Sequence, residues 1–471
     1  MPFRVWNPWR SQPPSSSSPA GPSPARPSPE SLSPEKEAAR LAADPRVHRL
    51  FDWFLRHERE IADFQMAITG IPAPPFAEQA RADWLRQRFQ SLGLAPTSDA
   101  AGNLLAARPG AESAPSIAIS AHLDTVFPAD TPLDVRREHT RLLGPGISDN
   151  GSGLAALWAL ASAFADCDIR TLRPLLFVAN TGEEGEGNLR GVRHLYRRPL
   201  AATGASVVSD DAPPPEIAAL IALDGAGNDR IIAQALGSRR FLVTIRGAGG
   251  HSWSDHGTPN PIHAAALAVA ELYRLPLPMQ PRTTLNVGSI SGGASVNTIP
   301  ESVVFKVDMR SSDRLCLDQL EQQMRRAVVS ACTEASGAAA QPGLRLSHSI
   351  ALTGERPAGD LSDTSPLLAA VRAVDAQLGI RSEVLRASTD ANIPLSLGLQ
   401  ALTLGAGGSG GRAHTLQEWF DPTGRAQGLR RLALVLLLLA GLPQAESKSS
   451  TAGRELGSEL GGELGGELGC E

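Results

Sequence analysis

Apolar runs and amphipathic stretches alternate along much of this chain. Strands are predicted at Ile117–Ser120, Leu175–Ala179 and Ile217–Leu223, with helices over Gly151–Phe164 and near Gly191–Tyr196 between them. This alternation predicts an α/β fold, a layered sandwich around a mostly parallel sheet. Upstream, Asp44-Pro45 reads as an N-cap with proline in the first turn, followed by Val47, Leu50, Phe51 and Phe54 at helical spacing. Pro72, Pro74 and Pro75 interrupt the chain before a helix over Glu78–Leu92, which Gly93 can cap, and a short strand near Asn103–Ala107.

The pattern changes between Gly237 and Ser349. An alternating strand (Phe241–Arg246), an apolar helix (Pro261–Tyr273), two strands (Leu285–Ile290, Val303–Met309) and a helix (Asp318–Ala335) are predicted, with a fourth strand at Leu344–His348. They make a small α+β unit of about 110 residues, an ordinary size for one domain, inserted into the α/β pattern. The outer pattern resumes at Ser365–Leu378 and Val384–Leu385 and ends in a helix over Arg425–Leu439. The expected organisation is therefore a Pro/Ser-rich tail (1–35), a discontinuous larger domain (36–236 and 350–444), the inserted unit (237–349) and a repetitive ELGSELGGELGG tail (445–471).

Composition narrows the options. The 471 residues are 42% hydrophobic with net charge −5, enough for a sizeable core and without a basic stripe for nucleic acid. Four cysteines lack CxxC spacing, which fits a reducing compartment and implies no cysteine metal site. The N-terminus shows no apolar signal core, so a cytoplasmic location is expected. The apolar run Leu432–Leu442 is shorter than the roughly 20 residues needed to span a bilayer, so no membrane partner is expected and the run reads as a buried helix.

Five islands carry acid or histidine at a strand end or in a glycine-rich loop. His122-Leu-Asp124 follows IAISA; alternate residues of an extended chain point the same way, so Asp124 can orient a metal-binding His122. Asp149 lies in GPGISDNGSG, ahead of an apolar helix, where it is either a helix cap or a carboxylate aimed outward to bridge two cations. Glu183-Glu184 follow LLFVAN; adjacent carboxylates repel, and a cation relieves the repulsion. Asp224 closes AALIALD, and His414 ends GAGGSGGRAH. Each alone reads equally as a solvated polar residue. Together they supply two histidines and several carboxylates on one rim of one sheet, a donor set suited to zinc, with cobalt or manganese possible.

As an ordered set, HLDT, GISDNGSG, TGEEGEG, the strand-closing acid and the late histidine resemble the dinuclear-zinc exopeptidase and deacylase family, which includes peptidase T, carboxypeptidase G, succinyl-diaminopimelate desuccinylase, acetylornithine deacetylase and aminoacylase. The resemblance covers Val47 to Leu442. It implies two divalent ions, one held by His122, Asp149 and Asp224 and the other by Asp149, Glu184 and His414. It also implies Asp124 steering His122, Glu183 as general base and a cis Asp149–Asn150 peptide. The inserted unit then corresponds to a ferredoxin-like lid and dimerisation domain. In it, His251 of GAGGHSWSDHG would reach a partner subunit's active site and steady the oxyanion. Asn297 and Arg310 would contact substrate, with Arg310 gripping a carboxylate through its bidentate fork. Gly407 and Gly408 would offer backbone N–H groups.

The implied activity is metal-dependent hydrolysis of amide bonds. An aspartate at 224 is the pattern of aminopeptidases and dipeptidases in that family, so a peptidase T-like aminopeptidase acting on short peptides is the first expectation. An N-acyl-amino-acid deacylase or carboxypeptidase is the second. A catalytically inactive binding homologue is a third, disfavoured because every implied ligand and the base are present.

Overall fold

The structure is a computed structural model that describes residues 32–197, 215–337 and 344–444. Trp6 and Trp9, the rest of segment 1–31 and the repetitive segment 445–471 lie outside the described residues. Helical order begins earlier than composition suggests. Ser33 accepts the Lys36 N–H and Pro34 opens the first turn, so a helix (Pro34–Ala42) starts inside the stretch assigned to the tail.

A nine-stranded sheet forms the centre of the larger unit. Its four inner strands, Leu175–Asn180, Ser116–His122, Ile217–Leu223 and Ala401–Leu404, run parallel. Antiparallel pairings add Leu104–Arg108 on one side and Arg230–Ala235 on the other. From Ser116–His122 the chain crosses through the helix Gly151–Asp166 to a strand on one side, then through Arg190–Leu195 to a strand on the other. Right-handed crossovers that reverse direction put their helices on opposite faces and open a crevice at the strands' carboxyl ends. That crevice is where His122, Glu183, Glu184 and Asp224 emerge.

The thicker face buries Leu154, Leu157, Phe164, Leu432 and Leu436 against Phe177 and Leu220. The run Leu432–Leu442 lies largely within the buried helix Arg425–Ala440, as expected, and among the described residues no helix is long and apolar enough to cross a membrane. Within this core Arg431, fully buried, makes a bidentate pair with Asp375 at 2.5 and 2.6 Å.

The inserted unit runs strand Gly237–Arg246, helix Pro261–Leu272, strands Thr283–Gly292 and Ser302–Ser311, helix Arg314–Ser336 and strand Ser347–Arg356. Its antiparallel sheet has the order second, third, first, fourth, the βαββαβ arrangement of a ferredoxin-like unit. Alternation decides its faces: Phe241, Val243, Phe305 and Met309 pack on Leu320, Met324 and Val328 in a separate core. The fourth strand is Ser347–Arg356 rather than Leu344–His348, so the unit extends past Ser349 to Arg356. A register shift between Leu352 and Gly354 breaks the alternation there, which hides the strand from a period-two reading.

A small third sheet joins Ser409–Gly411, Trp419–Asp421, Arg141–Leu143 and Arg136–Glu138. No sequence pattern announced it. It brings the late glycine-rich loop alongside the segment that leads to Asp149.

Candidate active site

The site grows from the carboxyl ends of the parallel strands. His122 ends its strand buried, and its Nδ1 donates to the Asp124 carbonyl oxygen at 3.0 Å, which turns Nε2 toward Asp149 as the nitrogen available to a cation. Asp124 thus meets His122 chiefly through its backbone. Its carboxylate, 3.7 Å from the imidazole, accepts the N–H groups of Glu183 (2.9 Å) and Glu184 (2.7 Å) and so fixes the two-glutamate turn.

Asp149 precedes the helix Gly151–Asp166, but Asn150 is the cap: its Oδ1 accepts the Gly153 N–H at 3.1 Å. The Asp149 carboxylate is thereby free to face the crevice. The Asp149–Asn150 peptide is cis. Asp149 Oδ1 lies 3.1 Å from His122 Nε2, and Oδ2 lies 3.0 Å from His414 Nε2. His414 Nε2 is also 2.8 Å from Glu184 Oε1. One donor atom each from His122, Asp149 and Glu184 lie within 4.8 Å of one another. Asp224 lines the same cavity as Asp149, a space of about 520 Å³ that also includes Gly408.

Electrostatics show a site short of positive charge. Burial and the neighbouring Asp149 carboxylate push Asp224 up to about 7. Hydrogen bonds to Asp149 and Glu184 push His414 up to about 10. Burial opposes charge on His122 and on Asp149, but their mutual attraction wins, raising the imidazole and lowering the carboxyl. His122 Nε2 and Asp149 Oδ1 have only each other at 3.1 Å and make no aligned hydrogen bond among the described residues. A buried nitrogen and oxygen left without a well-formed hydrogen bond are costly unless something else binds them. Hard-to-borderline N and O donors beside three carboxylates fit divalent cations.

Glu183 stands apart from these donors. Its Oε1 accepts from Arg356 Nη1 at 2.8 Å and its backbone carbonyl accepts from Nη2. Burial lifts its carboxyl well above the usual range; Arg356 opposes this and Glu184 adds to it. Arg356, the last residue of the inserted unit's fourth strand, went unnoticed in the sequence because nothing near it marks it as buried. Asp390 was missed too. It is buried, accepts from Asn180 Nδ2 at 2.8 Å and is raised to about 6 by burial.

The remaining expected residues are spread more widely. The Gly407 N–H is engaged by the Gly227 carbonyl at 3.2 Å, which leaves Gly408 as the member of the pair on the cavity wall. Arg310 donates to Asp308 at 2.8 Å and lines a different cavity, about 400 Å³, with Arg282 and Arg386. On that strand Asp308 shares a face with Arg310, and Arg240 of the neighbouring strand, within 3.4 Å of Asp308, donates to the Gly185 carbonyl. The helix-free face of the inserted sheet thus overhangs the two-glutamate turn. His251 and Asn297 meet at a short two-stranded ribbon in which the Ser252 N–H donates to the Asn297 carbonyl. His251 is exposed, and its Nδ1 accepts from the backbone of Trp253 (3.2 Å) and Ser254 (3.4 Å), which directs Nε2 outward as a donor.

A switch-point crevice lined with histidine and carboxylate donors, beside a buried glutamate outside the donor set, defines a metal-dependent hydrolase. Residues 118–438 match the profile of Peptidase family M20/M25/M40, and the chain belongs to that family. It is an amidohydrolase of this metallopeptidase class. Among curated proteins it is 23% identical over 368 residues to the uncharacterized protein YqjE of Bacillus subtilis, covering 74% of this chain and 91% of that one. It is 28% identical over 246 residues to a probable carboxypeptidase of Aspergillus terreus, covering 48% and 51%. Among solved structures, the aminopeptidase PepT of Bacillus cereus superposes with TM-score 0.63 at 18% identity, covering 81% and 98%. A dinuclear metal-binding peptidase, YXEP of Bacillus subtilis, gives 0.56 at 15%, covering 82% and 99%. At these identities the two structures speak for the fold.

Proposed function

We propose that the protein hydrolyses amide bonds of short peptides as an aminopeptidase of the peptidase T kind, using two divalent ions, zinc first. The gathering of His122, Asp149 and Glu184 within 4.8 Å, with His414 beside Asp149 and Glu184, carries this reading. His122, Asp149 and Asp224 would hold one ion, and Asp149, Glu184 and His414 the other. Bound cations of this kind lower the pKa of water to near neutrality and polarise a carbonyl oxygen. Glu183, buried and outside the donor set, takes the proton of the attacking water and returns it to the leaving amine. Arg356 fixes the direction of that carboxylate. Asp224 supports the aminopeptidase choice through its family correlation. The name of the fungal relative favours a second reading, a carboxypeptidase or N-acyl-amino-acid deacylase.

A panel of free-amine di- and tripeptides beside N-acyl amino acids, offered to zinc- or cobalt-loaded protein, separates the two. Cleavage of the free-amine peptides is expected. Turnover of acylated compounds alone would transfer the assignment to the second reading.

A homodimer through the inserted unit is part of the proposal, as is a cytoplasmic setting. The edge strand Thr283–Gly292 is largely exposed, with Ile290 55% accessible, and exposed edges of this kind invite pairing. His251 presents its donor to solvent and has no contact with its own cluster among the described residues. Sedimentation equilibrium is expected to give twice the chain mass. A fully active monomer would remove the role of His251 across subunits.

A further inference from the structure

The loop that carries Asp149 is fastened at several points. Asn150 Nδ2 donates to the Leu223 carbonyl at 2.7 Å, tying the loop to the residue before Asp224. Gln65 Nε2 donates to the Ile147 carbonyl at 2.6 Å, and Gln65 is held in turn by Arg425 at 2.6 Å. The densest tie comes from Glu418. This side chain is fully buried, and its two oxygens accept three loop amides: Oε1 from Ser148 and Asp149, both at 2.8 Å, and Oε2 from Gly146 at 3.0 Å. Its carbonyl accepts a fourth amide, from Gly144 at 3.1 Å. Glu418 stands four residues after His414, on the segment that the small third sheet pairs with Arg141–Leu143.

A carboxylate accepting three amides of one turn is a rigid, charge-assisted clamp. It joins two loops that share no sequence neighbourhood, the one bearing Asp149 and the one bearing His414. Asn150 makes the corresponding tie on the other side, toward Asp224. From this arrangement we infer that Glu418 is a positioning residue for the cation cluster, and that it sets the affinity of the place bounded by Asp149, Glu184 and His414 more than that of the place bounded by His122, Asp149 and Asp224, which keeps the Asn150 tie to Leu223. The inference rests on the two-metal reading above.

Glutamine at 418 tests it. One oxygen still accepts two amides, but an NH₂ group then faces the Gly146 N–H, donor against donor. The probe is Zn²⁺, titrated into metal-free protein against a competing chromophoric chelator. Wild type is expected to take up two equivalents in resolvable steps. In Glu418→Gln one step weakens by about 10- to 100-fold, the usual effect of removing an outer partner of a metal ligand, and the other weakens by clearly less. Glu418→Asp, which keeps the charge one methylene short, is expected to fall between, and it serves if the glutamine variant does not fold. Asp375→Asn, which disturbs the buried pair with Arg431, controls for stability: it lowers the unfolding midpoint and leaves both steps unchanged. Identical titrations for Glu418→Gln and wild type would overturn the inference, as would equal weakening of both steps. Wild-type protein that binds no zinc would instead overturn the hydrolase mechanism itself.

Discussion

Glu183→Gln is expected to lower kcat by about two to four orders of magnitude, the range that a positioned general base contributes, while KM and zinc content stay near wild type. In the proposed site Glu183 is adjacent to a donor but is not one. His414 Nε2 meets Glu184, whereas the Glu183 carboxylate turns to Arg356. The Asp124 carboxylate holds both backbone amides of the pair, so the turn persists when one side chain loses its charge. Glutamine retains an oxygen for Arg356 Nη1 and keeps its volume in a closed environment, so the substitution removes proton transfer and little else. Steady-state kinetics on the best substrate of the panel, with elemental analysis of the same preparation, reads both quantities. A variant within tenfold of wild-type kcat would take the proton-transfer role away from Glu183. A variant that loses a zinc equivalent would place Glu183 among the ligands.

The order of strands and helices was legible because buried strands and amphipathic helices leave a local period. The candidate donors were legible for a related reason. His122, Glu184 and Asp224 stand where an apolar run stops, and Asp149 and His414 stand in glycine-rich turns, so chemistry and chain punctuation coincide. The groups that orient the donors leave no such mark. Arg356 reaches Glu183 across 173 residues, and Glu418 reaches Ser148 across 270. Arg81 supports the His122 loop by donating to the Leu123 carbonyl at 2.7 Å from inside a helix that otherwise reads as amphipathic. Long-range polar contacts depend on which loops the fold brings together, and that is not written in any window of the chain. The strand Ala401–Leu404, which carries the His414 loop into place, was missed because four residues, three of them apolar, before a glycine run are too few to show a period. Substrate-facing residues fall between these cases. His251 and Asn297 are legible only through family resemblance, and in the single chain they are surface groups on a short two-stranded ribbon.

Asp149→Asn is expected to abolish the zinc-dependent rise in thermal stability and, with it, turnover. Both histidines converge on this one carboxylate: His122 Nε2 on Oδ1 at 3.1 Å and His414 Nε2 on Oδ2 at 3.0 Å. No other described donor touches both. A ligand that binds only the folded protein adds RT ln(1 + [L]/Kd), about 4 kcal/mol per site at a thousandfold excess over Kd. Wild type loaded with zinc should therefore melt well above its chelated form. An amide at 149 offers one neutral oxygen in place of two charged ones, and neither cation place is complete without the shared carboxylate. The backbone cradle should survive, because Glu418 holds the amides of Gly146, Ser148 and Asp149 whatever the side chain at 149. The chelated variant should melt somewhat below chelated wild type, because the ion pairs with His122 and His414 are lost, but its zinc-induced shift should be smaller than that of wild type by most of the wild-type value. A variant that keeps the full zinc-induced shift would show that the ions bind elsewhere. The shared aspartate would then be a loop residue rather than the pivot of the site.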